Sequence, residues 1–170
     1  MNILVVVDMQ NDFIDGALGT PEAVAIVPKV MVKMMNFDGL VMATRDTHGE
    51  DYLETQEGKN LPVKHCIKGS HGWEIKEEIQ QLLISQPIDK PTFGSETLGN
   101  VLKDLNNDVE PIDSITLVGL CTDICVISNA ILLKAFLPEV PIRVDASCCA
   151  GSYSMTVFPA GMCEFSSPNL

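Results

Sequence analysis

The stretch Ser114–Val126, Ser-Ile-Thr-Leu-Val-Gly-Leu-Cys-Thr-Asp-Ile-Cys-Val, decides how the chain is read. Ile115, Leu117, Val118 and Leu120 form an apolar run that reads as a buried strand stopping near Gly119. Thr122 and Asp123 are helix-capping types, and Val126, Ala130 and Leu133 then recur on one helical face. Cys125 therefore falls in the first turn of a helix. Unpaired amides and the positive end of the helix dipole favour a thiolate there, which makes Cys125 a candidate nucleophile. The competing reading is a buried inert cysteine, since free Cys is among the most buried residue types.

Outward from this junction the same strand-then-helix unit repeats. Asn2–Val7 is a β-branched run buried on both sides and ends at Asp8, as a central parallel strand would. Thr20 and Pro21 supply an N-cap and a first helical position for a helix to about Asn36, with Val24, Val27, Met31 and Met34 on its buried face. Gly39–Thr44 is a second strand, followed by Arg45-Asp46-Thr47-His48 and a long polar loop up to Trp73, a length that usually carries function. The spacing of Trp73, Ile75, Ile79, Leu82 and Leu83 predicts a helix over 73–83. Pro87–Lys90 is a brief strand closed by Pro91, and Ser95 caps a helix carrying Leu98, Val101, Leu102 and Leu105. The helix after Cys125 runs to about Phe136, and Pro141–Asp145 is a fifth strand. Gly151–Leu170 contains Pro159, Gly161 and Pro168 and shows no sustained period. This alternation predicts a three-layer doubly wound α/β domain, a mostly parallel sheet with helices on both faces, spanning residues 1–170.

A chain of 170 residues can bury roughly 70% of its unfolded surface in one domain. Its net charge of −12 argues against a phosphate backbone or an anionic membrane as partner and leaves a small molecule as the expected ligand. The opening run Ile3–Val7 has no basic segment before it and is too short for a signal or membrane segment, so a cytoplasmic location is expected. In that reducing compartment Cys66, Cys121, Cys125, Cys148, Cys149 and Cys163 read as free thiols. An apolar chain with short strands also suggests a homo-oligomer.

In doubly wound sheets ligands bind beyond the carboxyl ends of the strands. Asp8, Asp46, Lys90 and the Cys121–Cys125 turn each stand where an apolar run stops, so four segments converge on one rim. A carboxylate, an ammonium and a thiol are the set that acyl transfer requires.

Taken together, Asp8-Met9-Gln10-Asn11-Asp12-Phe13, Arg45-Asp46-Thr47-His48, Lys90-Pro91-Thr92-Phe93 and Gly119-Leu120-Cys121-Thr122-Asp123-Ile124-Cys125-Val126 resemble the isochorismatase-like cysteine hydrolases, in their nicotinamidase branch. The resemblance runs from Asn2 to about Cys149. It implies Asp8 as general base, Lys90 as the neighbour that steadies the anionic state, and Cys125 as the acylated nucleophile. It also implies a cis peptide between Leu120 and Cys121, an oxyanion hole from the amides of Cys121 and Cys125, and Phe13 as one aromatic face of the substrate pocket. Leu120 and Cys121 thereby join Phe13 as substrate-binding residues.

Asp46, His48 and His65 resemble the metal triad of that family. Asp-x-His at a strand end plus a distant His offers oxygen and nitrogen donors suited to a divalent ion, zinc first, with manganese or iron as alternatives. On its own an Asp-x-His is more often a turn with a solvated histidine. Glu57 and Glu54 are candidates for a fourth ligand, or else solvated loop carboxylates, and His71 in Ser-His-Gly reads as exposed. Asn60–His65 carries no aromatic to sandwich a substrate ring against Phe13, which leaves Trp73 or Phe93 for that part.

Three functions stay open at this point. The first is hydrolysis of a small primary amide, nicotinamide foremost, to the acid and ammonia. The second is hydrolysis of another substrate on the same fold, an N-carbamoyl amide or an isochorismate-like enol ether, the latter chemistry having no use for a thiol. The third is a non-catalytic partner-binding module resembling a receiver domain.

Overall fold

A computed structural model describes residues 1–152 together with the backbone of residues 163–164. The predicted irregular tail otherwise lies outside the described residues. β1 (Asn2–Val7) is followed by α1 (Asn11–Ile14), α2 (Pro21–Met35), β2 (Leu40–Asp46), α3 (Gln56–Asn60), α4 (Glu77–Gln80), β3 (Ile88–Lys90), α5 (Glu96–Asp108), β4 (Ser114–Leu120), α6 (Ile127–Phe136), β5 (Ile142–Ala150) and β6 (Cys163–Glu164). The sheet order is β3-β2-β1-β4-β5-β6, parallel throughout except for the antiparallel β5–β6 pair. This is the predicted doubly wound α/β sheet, with β1 between β2 and β4.

Strand alternation divides the core in two. Leu4 and Val6 of β1 pack with Ala23, Ile26, Val27, Val30 and Met34 of α2 and Ile79 of α4. Ile3, Val5 and Val7 face the other way, against Leu98 and Leu102 of α5 and Ala130 and Leu133 of α6. Successive strand side chains point to opposite faces, so one continuous apolar run serves both helical layers. Thr20 caps α2 by accepting the Ala23 N–H, and Ser95 caps α5 by accepting that of Leu98.

Three local expectations are corrected. The inward stripe of α2 is Ala23, Ile26, Val27, Val30 and Met34, while Val24 is exposed. With apolar residues at most positions of that helix, spacing alone could not select between adjacent stripes. The predicted helix over 73–83 shrinks to the single turn α4. Its first residues pair instead with the segment after β1: the Asn11 N–H donates to Glu74 O, the Lys76 N–H to Met9 O, and Ile75 bridges Gln10. Finally, β4 does not stop at Gly119 but passes through it to Leu120. Gly119 has φ 114°, and a Cβ there would run into the Val7 carbonyl, so only glycine lets β4 lie this close to β1. Among the described residues no helix is long and apolar enough to cross a membrane.

Candidate active site

Each parallel strand from β1 to β4 delivers polar chemistry at its carboxyl end. Asp8 follows β1 with φ 48°, a left-handed conformation uncommon outside glycine. Its carboxylate accepts the Thr44 hydroxyl at 2.7 Å and lies 2.7 Å from Lys90 Nζ. Lys90 closes β3, where the β2–β3 register sets it opposite Asp46. Lys90 Nζ donates to Asp46 Oδ1 at 3.2 Å, to Thr92 O at 3.2 Å and to Cys125 Sγ at 3.5 Å. The three sequence-predicted catalytic side chains thus meet in the interior: Asp8 is 0% exposed, Lys90 1% and Cys125 4%.

Burial decides the protonation of this cluster. It raises the Asp8 carboxyl above its usual range, with Lys90 pulling against it. Burial alone would lower Lys90, but its acidic neighbours, Asp8 first and Asp46 with it, outweigh burial and keep the ammonium protonated. The Cys125 thiol is pushed well above its normal value, first by burial and then by Asp8, with Lys90 opposing. The expectation of a thiolate stabilised by a helix terminus is therefore corrected. Cys125 sits in a π-type turn, Thr122–Val126, in which the Val126 N–H reaches back to Cys121 O at 3.0 Å, and its burial disfavours the charged form. Burial thus favours the neutral thiol at Cys125, with the Asp8 carboxyl beside it.

The turn is held from two sides. Asp123 does not cap the helix; its carboxylate accepts the Ser152 N–H at 2.8 Å and hydroxyl at 2.6 Å, tying the turn to the end of β5. The fully buried Asn129 donates to Cys125 O at 2.8 Å and Phe93 O at 3.1 Å, and accepts the Ser95 N–H at 2.9 Å. One side chain thereby joins the Cys125 turn to the segment following Lys90. The peptide between Leu120 and Cys121 is cis, as the resemblance implies, with Leu120 buried and Cys121 half-buried.

Beside the triad, ligand atoms of Asp46, His48 and His65 lie within 4.8 Å of one another. The His48 backbone pairs with the 66–68 segment, its N–H donating to Cys66 O and its carbonyl accepting the Lys68 N–H, which brings the distant His65 alongside. His65 Nδ1–H donates to Val63 O at 2.9 Å, so Nε2 carries the lone pair facing the cluster. His48 Nε2 is buried 2.9 Å from Asp46 Oδ2 without hydrogen-bond alignment. Glu57 Oε1 stands 3.6 Å from His48 Nε2 and 3.8 Å from His65 Nε2, whereas Glu54 is exposed. Two imidazole nitrogens and two carboxylates pointing at one place, one nitrogen of them close to a carboxylate yet in no hydrogen bond, fit a divalent metal ion.

Of the aromatic candidates, Phe13 lies against His65 with ring centroids 5.5 Å apart. Trp73 is engaged elsewhere: its Nε1–H donates to Thr47 Oγ1 and the Arg45 guanidinium covers its ring at 3.4 Å. Phe93 is 44% exposed. The aromatic that sequence reading missed is Tyr52, fully buried with its ring 4.6 Å from His48 and 4.9 Å from His65. Its hydroxyl, pushed up to about 12 by burial and by Glu57, donates to Leu61 O. An aromatic four residues after His48 in an otherwise polar loop was the available signal. Also missed were Gln10, which binds the backbone of Asp46, and Asp12, whose carboxylate accepts the Cys66 N–H at 2.8 Å next to His65. His71 is exposed as expected, and the cysteines of the described residues, Cys66, Cys121, Cys125, Cys148 and Cys149, are free.

A mostly parallel α/β sheet thus presents a buried Asp, Lys and Cys beside a cluster of two histidines and two carboxylates. The isochorismatase domain profile matches residues 2–156, and the chain belongs to that family. It is 26% identical over 174 residues to the nicotinamidase of Saccharomyces cerevisiae, covering 77% of this chain and 80% of the relative. Among solved structures, the pyrazinamidase of Pyrococcus horikoshii in complex with zinc aligns with a TM-score of 0.69 and 26% identity over 90% of this chain and 88% of that one. The N-carbamoylsarcosine amidase from Thermoplasma acidophilum aligns with a TM-score of 0.68 and 28% identity over 93% and 86%. Within the family the chain falls in the nicotinamidase branch and is a hydrolase of amide carbon–nitrogen bonds.

Proposed function

We propose that this chain hydrolyses a small primary amide, nicotinamide to nicotinate and ammonia, through a thioester on Cys125. The observation that carries the proposal is the convergence on Lys90 Nζ of Asp8 Oδ2 at 2.7 Å and Cys125 Sγ at 3.5 Å inside the fold. Asp8 takes the Cys125 proton as sulfur attacks the carboxamide carbon, and burial makes its carboxylate a stronger base than an exposed one. The oxyanion accepts hydrogen bonds from the Cys121 and Cys125 amides. Ammonia leaves with the proton returned by Asp8. Water then attacks the thioester with Asp8 again as base, releasing the acid and the thiol. Lys90 stays protonated throughout and balances the charge that moves between Asp8 and sulfur.

Phe13 offers one face to a substrate ring, and Leu120 and Cys121 line the approach to the carbonyl. Asp46, His48 and His65, with Glu57 as fourth ligand, would hold the metal, zinc first, with manganese or iron as alternatives. Such an ion would supply a Lewis acid for a ring nitrogen of the substrate. We place the protein in the cytoplasm as a homo-oligomer.

A second reading, hydrolysis of an N-carbamoyl amide, draws on the 28% identity to the carbamoylsarcosine amidase and on Trp73 being occupied by Arg45 instead of facing Phe13. Ammonia release from nicotinamide, pyrazinamide and small N-carbamoyl compounds separates the two. Turnover of nicotinamide supports the first reading. Activity confined to the carbamoyl set establishes the second in its place, and no activity on any amide, with metal present, removes both.

A further inference from the structure

Beyond Val7 the backbone ladder between β1 and β2 comes to an end, its last contact being the Asp8 N–H on Thr44 O at 3.3 Å. Two residues on, the side chain of Gln10 takes the place of a backbone partner. Its Oε1 accepts the Asp46 N–H at 2.7 Å, and its Nε2 donates to Asp46 O at 2.8 Å and to Trp73 O at 2.9 Å. The side chain is fully buried, and the Gln10 backbone is bridged to Ile75. Both polar groups of one residue's backbone are thus gripped by one amide, as a neighbouring strand would grip them.

Asp46 has reason to be held this firmly. Its Oδ1 receives Lys90 at 3.2 Å, and its Oδ2 lies 2.9 Å from His48 Nε2 and 3.7 Å from His65 Nε2. A rotation of the strand end would spoil both contacts together. We propose that Gln10 is the positioning residue of the metal centre: by clamping the Asp46 backbone it aims one carboxylate oxygen at the two histidines while the other stays on Lys90. The proposal rests on the reading of Asp46, His48 and His65 as metal ligands. Partners outside the ligand set hold metal sites in register, and their loss typically costs about 10–100-fold in affinity.

The test is zinc affinity of the full chain by competition with a chromogenic chelator, alongside the visible spectrum of the cobalt(II)-substituted protein. Gln10→Met keeps the volume and loses every hydrogen bond, and its zinc dissociation constant should rise about 10–100-fold with an altered cobalt spectrum. Gln10→Glu keeps the acceptor for the Asp46 N–H and should fall between it and wild type, a partial rescue that a volume-filling role does not predict. Asn11→Ala, which removes only the bond from Asn11 Nδ2 to His71 O, should bind zinc as wild type does. A folded Met variant with wild-type affinity and spectrum overturns the proposal. If it does not fold, the Glu variant decides. If neither folds, Gln10 is a folding residue and the proposal falls. Wild-type protein that takes up no zinc or cobalt overturns the metal-centre reading itself, an outcome distinct from the others.

Discussion

Lys90 and Asp46 stand opposite each other across the β2–β3 pair, the ammonium 3.2 Å from Asp46 Oδ1, while the second oxygen of that carboxylate faces His48 at 2.9 Å. The Asp46 side chain thus touches both the Asp8–Lys90–Cys125 triad and the histidine cluster. Lys90 is the cation that makes this tolerable, since Asp8 and Asp46 are both buried and both acidic.

Lys90→Met removes the group that pulls the Cys125 thiol downward against burial and Asp8. The thiol titration should therefore move to higher pH, read as a shift of the alkylation-rate limb in the same direction. Two buried carboxylates also lose a shared partner, so stability should fall by about 3–5 kcal/mol in denaturant unfolding. An alkylation profile that stays in place would leave Lys90 with a structural part only.

Cys125→Ala should lower turnover by at least about 10⁴-fold, as expected when the nucleophile of a covalent route is removed. The circular dichroism spectrum should be unchanged, because a small side chain is exchanged for a smaller one. Cys121→Ala, by contrast, should keep most activity, since only its backbone is assigned to the chemistry.

Asp8→Asn replaces the proton acceptor by a near-isostere and should reduce kcat by about 10² to 10⁴, with KM changing less. Rates measured across pH decide it: an unchanged kcat would move the base to another residue.

Purified protein should contain about one divalent metal ion per chain, lost on joint replacement of Asp46 and His48 by Ala. Glu57→Gln should weaken binding without abolishing it, given that Glu57 reaches both histidines from 3.6 and 3.8 Å. Elemental analysis after reconstitution reads both effects, and metal-free wild-type protein would contradict the assignment.

Asn129→Ala strips three hydrogen bonds from a fully buried site. Stranding buried backbone groups costs about 1–3 kcal/mol each, so a marked loss of thermal stability is expected. Alkylation of Cys125 should become faster as its turn loosens, and an unaltered labelling rate would separate Asn129 from the nucleophile.

What could be read from the sequence was whatever leaves a local pattern. The β1 and β4 runs, the Thr20 and Ser95 caps and the βα alternation are all written within a few residues of themselves, and the fold follows. Asp8, Lys90 and Cys125 were legible because parallel strands deliver their last residues to one rim. The helix over 73–83 failed because its apolar spacing is satisfied by an irregular chain whose N–H and C=O groups are already used by residues 9–11. The thiolate failed because local position suggests a dipole, whereas burial is a property of the packed core. Gln10 on Asp46 and Asp12 on Cys66 span 36 and 54 residues of sequence, and a side chain bonded to a distant backbone leaves no periodic trace.

The interior placement of Asp8, Lys90 and Cys125 turns access into a separate kinetic event. With Cys125 only 4% exposed, labelling of its sulfur is expected to be an opening followed by a reaction. At low reagent concentration the observed rate is the product of opening equilibrium and reactivity. At high concentration it levels off at the opening frequency, a motion expected on the microsecond-to-millisecond scale. A plateau of that kind would also set an upper bound on turnover, whichever amide is offered.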